Sequence, residues 1–330
     1  KATTYDLGLD FEAFNGRLNF SADIYRKKTT DMYVVGEELP AVFGNSAPKG
    51  NYADMRTDGW EASLSWRDSH KVAGKTLSYN IKVAVWDNTS KITRYTAKTG
   101  TLPTNYSINY YEGMTLGEMW GYKCDGLFQS DEEAQTWANY SKFTNRSATW
   151  QAGDPRYLDL NGDRKIDGND VTMLGYPTVP EIIYGLGASI QCKNFDFSFF
   201  FQGVGHVSLE MQDHHPFVSK AYSGRNMTQW IADDHWSEAN PDPNAAYPRL
   251  SHVWNENNTQ ASSFWIRNGA YLRLKSAEVG YTYRSFRFYV AGSNLFTISK
   301  FKLWDPELGS GNGLKYPLQR VVKLGLQYNF

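Results

Sequence analysis

Apolar and polar residues alternate with a period of two along much of this chain, and the alternation predicts about nine β-strands. In the last segment, apolar side chains occupy every second position from Val322 to Phe330. Four phenylalanines share one face of a segment that follows Lys193-Asn194, namely Phe195, Phe197, Phe199 and Phe201. Similar segments lie near residues 7–13, 18–24, 60–66, 79–86, 182–192, 270–283 and 286–298. Each predicted strand therefore has one apolar and one polar face.

The connections between these strands alternate in length. Short turns are predicted at Asn15-Gly16, around 68–75, at Lys193-Asn194 and at Arg284-Ser285, and long loops near 36–51, 91–180, 205–262 and 299–319. Tight turns at one end and long loops at the other are typical of outer-membrane barrels. A row of exposed phenylalanines would promote aggregation in water. The pattern predicts an all-β transmembrane antiparallel β-barrel whose apolar faces contact outer-membrane lipid.

Composition limits the possible functions but does not identify one. Aromatic residues make up 15% of the chain, yet the mean hydropathy is −0.56, a combination that fits a membrane barrel with a polar lumen or a carbohydrate-binding β protein. The net charge of −1 provides no basic field for nucleic acid. The sequence lacks a nucleophile elbow, a phosphate-binding glycine loop and a His-Glu-x-x-His motif, so no enzyme activity is expected. Cys124 and Cys192 are expected at opposite ends of the barrel, without a disulfide between them.

Residues 159–170 have the spacing of a calcium-binding loop. Ile166 would be its buried apolar anchor. Arg164 stands where such loops usually have glycine, and the last position has aspartate where they usually have glutamate. The alternative is a turn rich in Asp and Asn whose side chains cap its own backbone. The predicted ligands of a structural Ca²⁺ are Asp159, Asn161, Asp163, Lys165 (through its carbonyl), Asp167 and Asp170.

Several sequence blocks resemble the SusC/RagA family of TonB-dependent outer-membrane transporters. They include Glu112–Gly117, Gly121–Phe128, Asp159–Asp163, Gly175–Pro177, Asn194–Phe197, Phe201–Gly203, Trp265–Lys275, Gly292–Phe296 and Asp305–Glu307. Residues 1–100 share with the family only the alternating strand pattern of a barrel. The resemblance implies a 22-stranded barrel with an N-terminal plug, a SusD-like surface lipoprotein over its mouth, TonB acting on the plug, and an oligosaccharide or peptide substrate. We expect this chain to be the C-terminal part of such a barrel, in the outer membrane of a Gram-negative bacterium, with the plug outside it.

Other residues have competing interpretations. Trp120, Trp230, Trp236 and Trp254 are weak candidates for stacking on a substrate, against simple loop packing. His214-His215 is a weaker candidate for a transition-metal site, because adjacent residues of an extended chain point to opposite faces. A short helix is expected near 131–139, with Ser130 or Asp131 as its N-cap. The alternative functions are a soluble, secreted β-sandwich that binds glycans, with a dockerin-like calcium loop, and a surface glycoside hydrolase.

Overall fold

The computed structural model describes residues 1–36, 39–40, 42, 44–45, 47–96, 110–140, 142–143, 149–211, 228–251, 255–311 and 313–330. The helices are α1 (Asp131–Tyr140) and α2 (Gln229–Asp233). The strands are β1 (Ala2–Ala13), β2 (Leu18–Val35), β3 (Lys49–Val72), β4 (Lys75–Tyr95), β5 (Trp120–Tyr122), β6 (Cys124–Leu127), β7 (Lys142–Phe143), β8 (Pro155–Tyr157), β9 (Lys165–Ile166), β10 (Val171–Met173), β11 (Ile182–Cys192), β12 (Phe195–Gly205), β13 (Ser208–Glu210), β14 (Ile266–Asn268), β15 (Tyr271–Tyr283), β16 (Phe286–Ser299) and β17 (Val321–Tyr328).

Nine long strands form one antiparallel sheet in the order β1-β2-β3-β4-β11-β12-β15-β16-β17. Each strand pairs with the next long strand along the chain, so the sheet is a meander. The turns 14–17, 73–74, 193–194 and 284–285 lie at one end, here called the turn end. The connections 36–48, 96–181, 206–270 and 300–320 lie at the other, here called the loop end. The predicted strand number and the alternation of short and long connections are confirmed.

The strands extend further than the sequence predicted. β3 has 24 residues, although the alternation marked only residues 60–66. The turn predicted around 68–75 is a two-residue turn at Ala73-Gly74, where both residues have positive φ (48° and 74°). Backbone pairing continues beyond the apolar stretch because ladder hydrogen bonds do not require apolar side chains. Alternation therefore reveals only the part of a strand that has an apolar face.

One face of the sheet, here called the outer face, is apolar and uncovered. Phe195 is 60% exposed and Leu324 is 84% exposed. The phenylalanine rings contact residues of the same sheet, as between Phe199 and Phe201, whose centroids are 5.6 Å apart. In the described part of the chain, the other strands form only two-stranded sheets. The β-sandwich alternative is therefore wrong, since no second sheet packs on these rings in the described residues.

The buried core lies mainly at the loop end. Fully buried aromatic residues include Phe128, Tyr157, Tyr247 and Trp265, in clusters built from the long connections. α1 begins as predicted, because the Ser130 hydroxyl accepts a hydrogen bond from the Glu133 amide at 3.1 Å. Among the described residues, no helix is long and apolar enough to cross a membrane. Cys124 and Cys192 are both free thiols.

Candidate functional site

The described residues of 110–181, 206–270 and 300–320 pack into one structure, here called the loop cap. It lies at the loop end of the sheet. Clusters of buried apolar residues hold it together: one joins Leu127 of the connection 96–181 to Trp236 of the connection 206–270, and another packs Trp304 of the connection 300–320 against the latter connection. Hydrogen bonds also link distant connections, as where the Cys124 amide donates to the Ser263 hydroxyl at 2.9 Å. The cap is therefore a folded unit with its own interior.

Asp154 is the centre of a buried polar network in the loop cap. Its side chain is fully buried. One carboxylate oxygen accepts hydrogen bonds from Arg249 Nε at 2.7 Å and from Asn255 Nδ2 at 3.0 Å. The other accepts from Asn257 Nδ2 at 3.1 Å and from the Gln151 amide at 3.2 Å. Burial raises the pKa of Asp154, because desolvation of the carboxylate outweighs the attraction of the Arg249 guanidinium.

The same region contains two further bonds between connections. The Tyr157 hydroxyl donates to the Asn257 carbonyl at 2.6 Å, and Trp265 Nε1 donates to the Asn258 carbonyl at 2.9 Å. Both carbonyls belong to the 3₁₀ helix Glu256–Thr259. We call this contact between residues 149–157 and 249–265 the cap seam. The sequence interpretation missed it because the partners of Asp154 lie about a hundred residues away and form no local pattern.

The predicted calcium loop has a defined backbone and many internal hydrogen bonds. The Asp159 carboxylate accepts from the amides of Gly162 at 2.7 Å and Arg164 at 2.8 Å. The Asp170 carboxylate, which is fully buried, accepts from the amides of Leu160 at 2.8 Å and Asp167 at 2.9 Å. In the described ranges, no group of three or more His, Cys, Asp or Glu side chains is placed to hold a metal ion. These contacts are those of a turn that caps its own backbone.

One feature of this loop matches the expectation from the sequence, and a second concerns the unexpected arginine at position 164. Ile166 is fully buried in the cluster that also contains Phe128, as predicted for the apolar anchor. Arg164 has φ of 65°, so it adopts the left-handed conformation that glycine usually provides at that position. Its guanidinium lies 5.0 Å from the centroid of the Tyr140 ring. The arginine at this position therefore does not prevent the backbone conformation of a calcium loop.

The candidate tryptophans do not form a single cluster. Trp120 is half-buried and donates to Glu118 Oε2 at 3.1 Å. Trp236 is 5% exposed and packs against Gly153, whereas Trp230 on α2 is 53% exposed. Of these three, Trp230 is the most exposed and the best placed for stacking. Trp254, like His214, His215 and His252, lies outside the described residues.

A second network joins the sheet to the loop cap. Arg273 on β15 is 2% exposed and makes an ion pair with Asp305. Glu307 Oε1 accepts from Lys275 Nζ at 2.6 Å and from the Tyr271 hydroxyl at 2.9 Å. These residues belong to two of the blocks that carry the resemblance stated above, Trp265–Lys275 and Asp305–Glu307. The blocks therefore meet in space and fix the connection 300–320 to the wall.

The apolar outer face ends at a group of ionic residues on each side. At the turn end, Asp68 Oδ2 lies 3.3 Å from Arg17 Nη1. At the loop end, Asp58 Oδ1 lies 2.6 Å from Arg26 Nε. Asp68 and Asp58 are ten residues apart on β3, which is about 34 Å along a strand. With the usual tilt of 35–45°, this separation corresponds to about 24–28 Å, close to the ~25 Å apolar band of membrane barrels.

The opposite face of the sheet is polar. On β1 it presents Asp6, Asp10 and Glu12. Near the turn end, Arg287 makes ion pairs with both Asp196 and Glu278. A barrel closed around this face would have a hydrated, charged interior. Within the apolar band, the two faces therefore differ in chemistry.

Comparison with known proteins shows which family this geometry belongs to. A family model described as "TonB dependent receptor-like, beta-barrel" matches residues 1–205. The chain is 26% identical to TonB-dependent receptor P26 of Formosa agariphila, over 98% of this chain and 34% of that protein. It is 24% identical to TonB-dependent receptor SusC of Bacteroides thetaiotaomicron, over all of this chain and 32% of that protein. The chain thus spans about one third of the length of these relatives.

Solved structures share the fold. The RagAB peptide transporter superposes on the whole chain with a TM-score of 0.75 at 18% sequence identity, using 35% of the transporter chain. The RagAB peptide importer in its "open-open" state gives a TM-score of 0.72, also at 18% identity and over the whole chain. At this identity the likeness concerns the fold. The expected resemblance to SusC and RagA is confirmed.

Proposed function

Because the chain belongs to the TonB-dependent receptor-like β-barrel family, we propose that it forms part of the wall and the extracellular loops of an outer-membrane nutrient importer. The nine-stranded sheet would be one sector of a multi-pass barrel in a Gram-negative outer membrane. Its outer face would contact lipid, and its polar face would line the lumen. The observation that carries this proposal is the apolar band on β3, bounded at both ends by ionic residues.

Substrate and partners belong to the same proposal. We propose active import of oligosaccharides or peptides with a SusD-like surface lipoprotein over the loop cap and TonB acting through a plug outside this chain. The name of the SusC relative and the description of RagAB as a peptide transporter support this direction. The loop cap is suited to docking a partner because the cap seam and the Arg273 network fix its connections in place.

Uptake of labelled substrate by cells tests the import proposal. Cells that produce the intact protein would be given labelled oligosaccharide and peptide mixtures, with and without functional TonB. We expect accumulation of one substrate class only when both the protein and TonB are present. Accumulation that continues without TonB would contradict active import. A control strain without the proposed SusD-like lipoprotein would separate loss of capture from loss of transport.

We propose further that residues 159–170 bind a structural Ca²⁺, with the six ligands named from the sequence. The conformation of Arg164 and the burial of Ile166 support this proposal. Repulsion among four carboxylates, those of Asp159, Asp163, Asp167 and Asp170, would favour a cation. Bound Ca²⁺ would stabilise the loop against proteolysis.

Limited proteolysis of the intact protein tests the calcium proposal. We expect chelation to expose residues 159–170 to cleavage and added Ca²⁺ to restore protection. Asp163→Asn with Asp167→Asn should remove this response. A matched control is Asp125→Asn with Glu132→Gln, which changes the net charge equally outside the loop. If neither chelator nor Ca²⁺ changes the rate at which the original protein is cleaved, the loop is a turn whose side chains cap its own backbone.

A further inference from the structure

Three cations form a row on the outer face, one step beyond the apolar band at the loop end. Lys28 on β2 is the direct partner of Arg56 on β3, and Arg56 is the direct partner of Lys91 on β4. Directly paired residues project from the same face of a sheet, and neighbouring strands are about 4.8 Å apart. The backbone positions of the row therefore span about 10 Å across three strands.

The neighbouring acids compensate only the middle cation of this row, Arg56. Asp58 is shared by Arg26 and Arg56, at 2.6 Å and 3.0 Å. Asp54, one step further out, is bound by Arg94 at 2.8 Å, and Arg94 also reaches Asp31 at 3.3 Å. In the described residues, neither lysine of the row has a carboxylate within ion-pair distance. The Lys28 ammonium lies over the Tyr5 ring, 5.8 Å from its centroid.

A groove of about 720 Å³ lies directly below the row. Its lining includes Tyr5, Leu7, Ile24, Arg26, Lys28 and Trp60. Asp58 and Asp87 also line it; the first is paired with arginine, and the second lies two steps below the lysines. The groove thus offers cations toward the loop end and apolar and aromatic surface toward the band, with the Asp87 carboxylate beside Trp60. This order of cationic and apolar groups along the groove matches a lipid with an anionic headgroup and apolar chains.

The depth of the row fits a phosphate group. Arg56 is two residues beyond Asp58, which is about 7 Å along the strand and about 5 Å along the membrane normal at the usual tilt. The headgroup layer of a bilayer adds roughly 5–7 Å beyond the hydrocarbon on each side. The row therefore lies at the level of lipid phosphates if Asp58 marks the edge of the hydrocarbon.

We propose that Lys28, Arg56 and Lys91 bind the phosphate of a membrane lipid headgroup in the leaflet on the loop side. Arginine provides a planar fork for two phosphate oxygens, and the lysines add charge without a competing carboxylate among the described residues. The acyl chains would lie along the groove beside Trp60 and Ile24. The site rests on the membrane orientation proposed above. It lies on the outer face, away from the polar lumen, so transport could proceed without it.

Lipid binding to the intact protein in detergent tests this site. Native mass spectrometry would measure the affinity for a phosphorylated glycolipid and for the same lipid with its phosphates removed. We expect Lys28→Gln with Lys91→Gln to weaken binding of the phosphorylated lipid about 30-fold, which corresponds to about 2 kcal/mol. Arg56 stays unchanged in this variant, so the ion pair with Asp58 is preserved.

A matched control removes two lysines from the polar face. Lys27→Gln with Lys82→Gln changes the net charge equally, and its affinity for the phosphorylated lipid should equal that of the original protein. The lipid without phosphate should bind both variants alike. Equal loss in both double variants, or competition by millimolar inorganic phosphate as strong as by lipid, would overturn the site. Neither result would affect the import proposal, which substrate uptake tests separately.

Discussion

Replacing the buried carboxylate of Asp154 should open the cap seam without unfolding the barrel. Asp154→Ala removes the acceptor for four donors: Arg249 Nε, Asn255 Nδ2, Asn257 Nδ2 and the Gln151 amide. Summing four bonds would overstate the loss, because burial already raises the pKa of this carboxylate. Removing one partner of a buried ion pair typically costs about 3–5 kcal/mol. We therefore expect a loss of about 4 kcal/mol in the local stability of the seam.

Asp154→Asn should have a smaller effect of the same sign. The amide preserves the shape and one acceptor oxygen. Its NH₂ group, however, would face two donors. Depending on which way the amide is turned, these are either Arg249 and Asn255, or Asn257 and the Gln151 amide. Leaving buried groups unsatisfied costs about 1–3 kcal/mol. The local stability of the cap seam should therefore decrease from the original protein to Asp154→Asn and be lowest in Asp154→Ala.

Hydrogen exchange measured by mass spectrometry on the intact protein in detergent would follow the seam directly. Peptides covering 149–157 and 255–265 should exchange roughly 1000-fold faster in Asp154→Ala, as a loss of about 4 kcal/mol implies. Peptides from β12 should be unchanged. Asp125→Asn is the matched control, because that carboxylate is 40% exposed in its pair with Arg156 and should be worth at most ~1 kcal/mol.

The reasoning about the seam would be wrong under either of two outcomes. Seam peptides could retain their original protection in Asp154→Ala, in which case the network does not hold the two connections together. Alternatively, Asp125→Asn could increase exchange as much as Asp154→Ala does. Burial would then not determine the strength of these carboxylate contacts.

Three other predictions concern the wall, the second network and pH. Phe201→Arg should destabilise the barrel by about 2–4 kcal/mol and Ser198→Arg by much less, since only the first faces lipid, in register with Leu64 near the middle of the band; urea titration of protein refolded in vesicles compares them, and equal losses would contradict the assignment of faces. Arg273→Met leaves Asp305 and Glu307 without their buried cation, so proteases should cleave 300–320 faster; unchanged cleavage would refute the role of this network. The folded-state pKa of Asp154 is raised above 3.8, so its contribution to stability is complete below that pH and is lost as pH rises through the folded pKa. Seam protection, corrected for intrinsic exchange, should therefore fall as the pH is raised stepwise above 3.8 in the original protein relative to Asp154→Asn, and a rise would contradict the sign.

The strands and their faces could be predicted from the sequence because the signal is local. On β12, every second residue from Phe195 is apolar, and the register with β11 and β15 preserves this alternation up to a bulge near Phe200. The outer ends of β3 and β4 carry charged residues on the outer face, such as Arg56 and Lys91, so alternation gave no signal there. Backbone pairing alone extends those strands.

The loop cap was only partly predictable because many of its contacts join residues that are far apart in the sequence. The burial of Ile166 and the start of α1 follow from short motifs, and both were predicted. The cap seam joins Asp154 to residues 95–103 positions away, and spacing along the chain carries no signal for such a contact. Trp236 shows the same limit. Its sequence context is compatible with stacking on a ligand as well as with loop packing, but its ring is buried against Gly153.

Spin labels placed singly along β12 in the membrane-embedded intact protein would test the contact with lipid most directly. Cys124 and Cys192 would first be replaced by serine, and labels would be attached at successive positions 196–199. We expect labels at 197 and 199 to collide with oxygen, which concentrates in lipid, and labels at 196 and 198 to collide with a water-soluble nickel complex. Labels at 197 and 199 that are shielded from both reagents would mean that protein covers the phenylalanine face, which would contradict the membrane barrel.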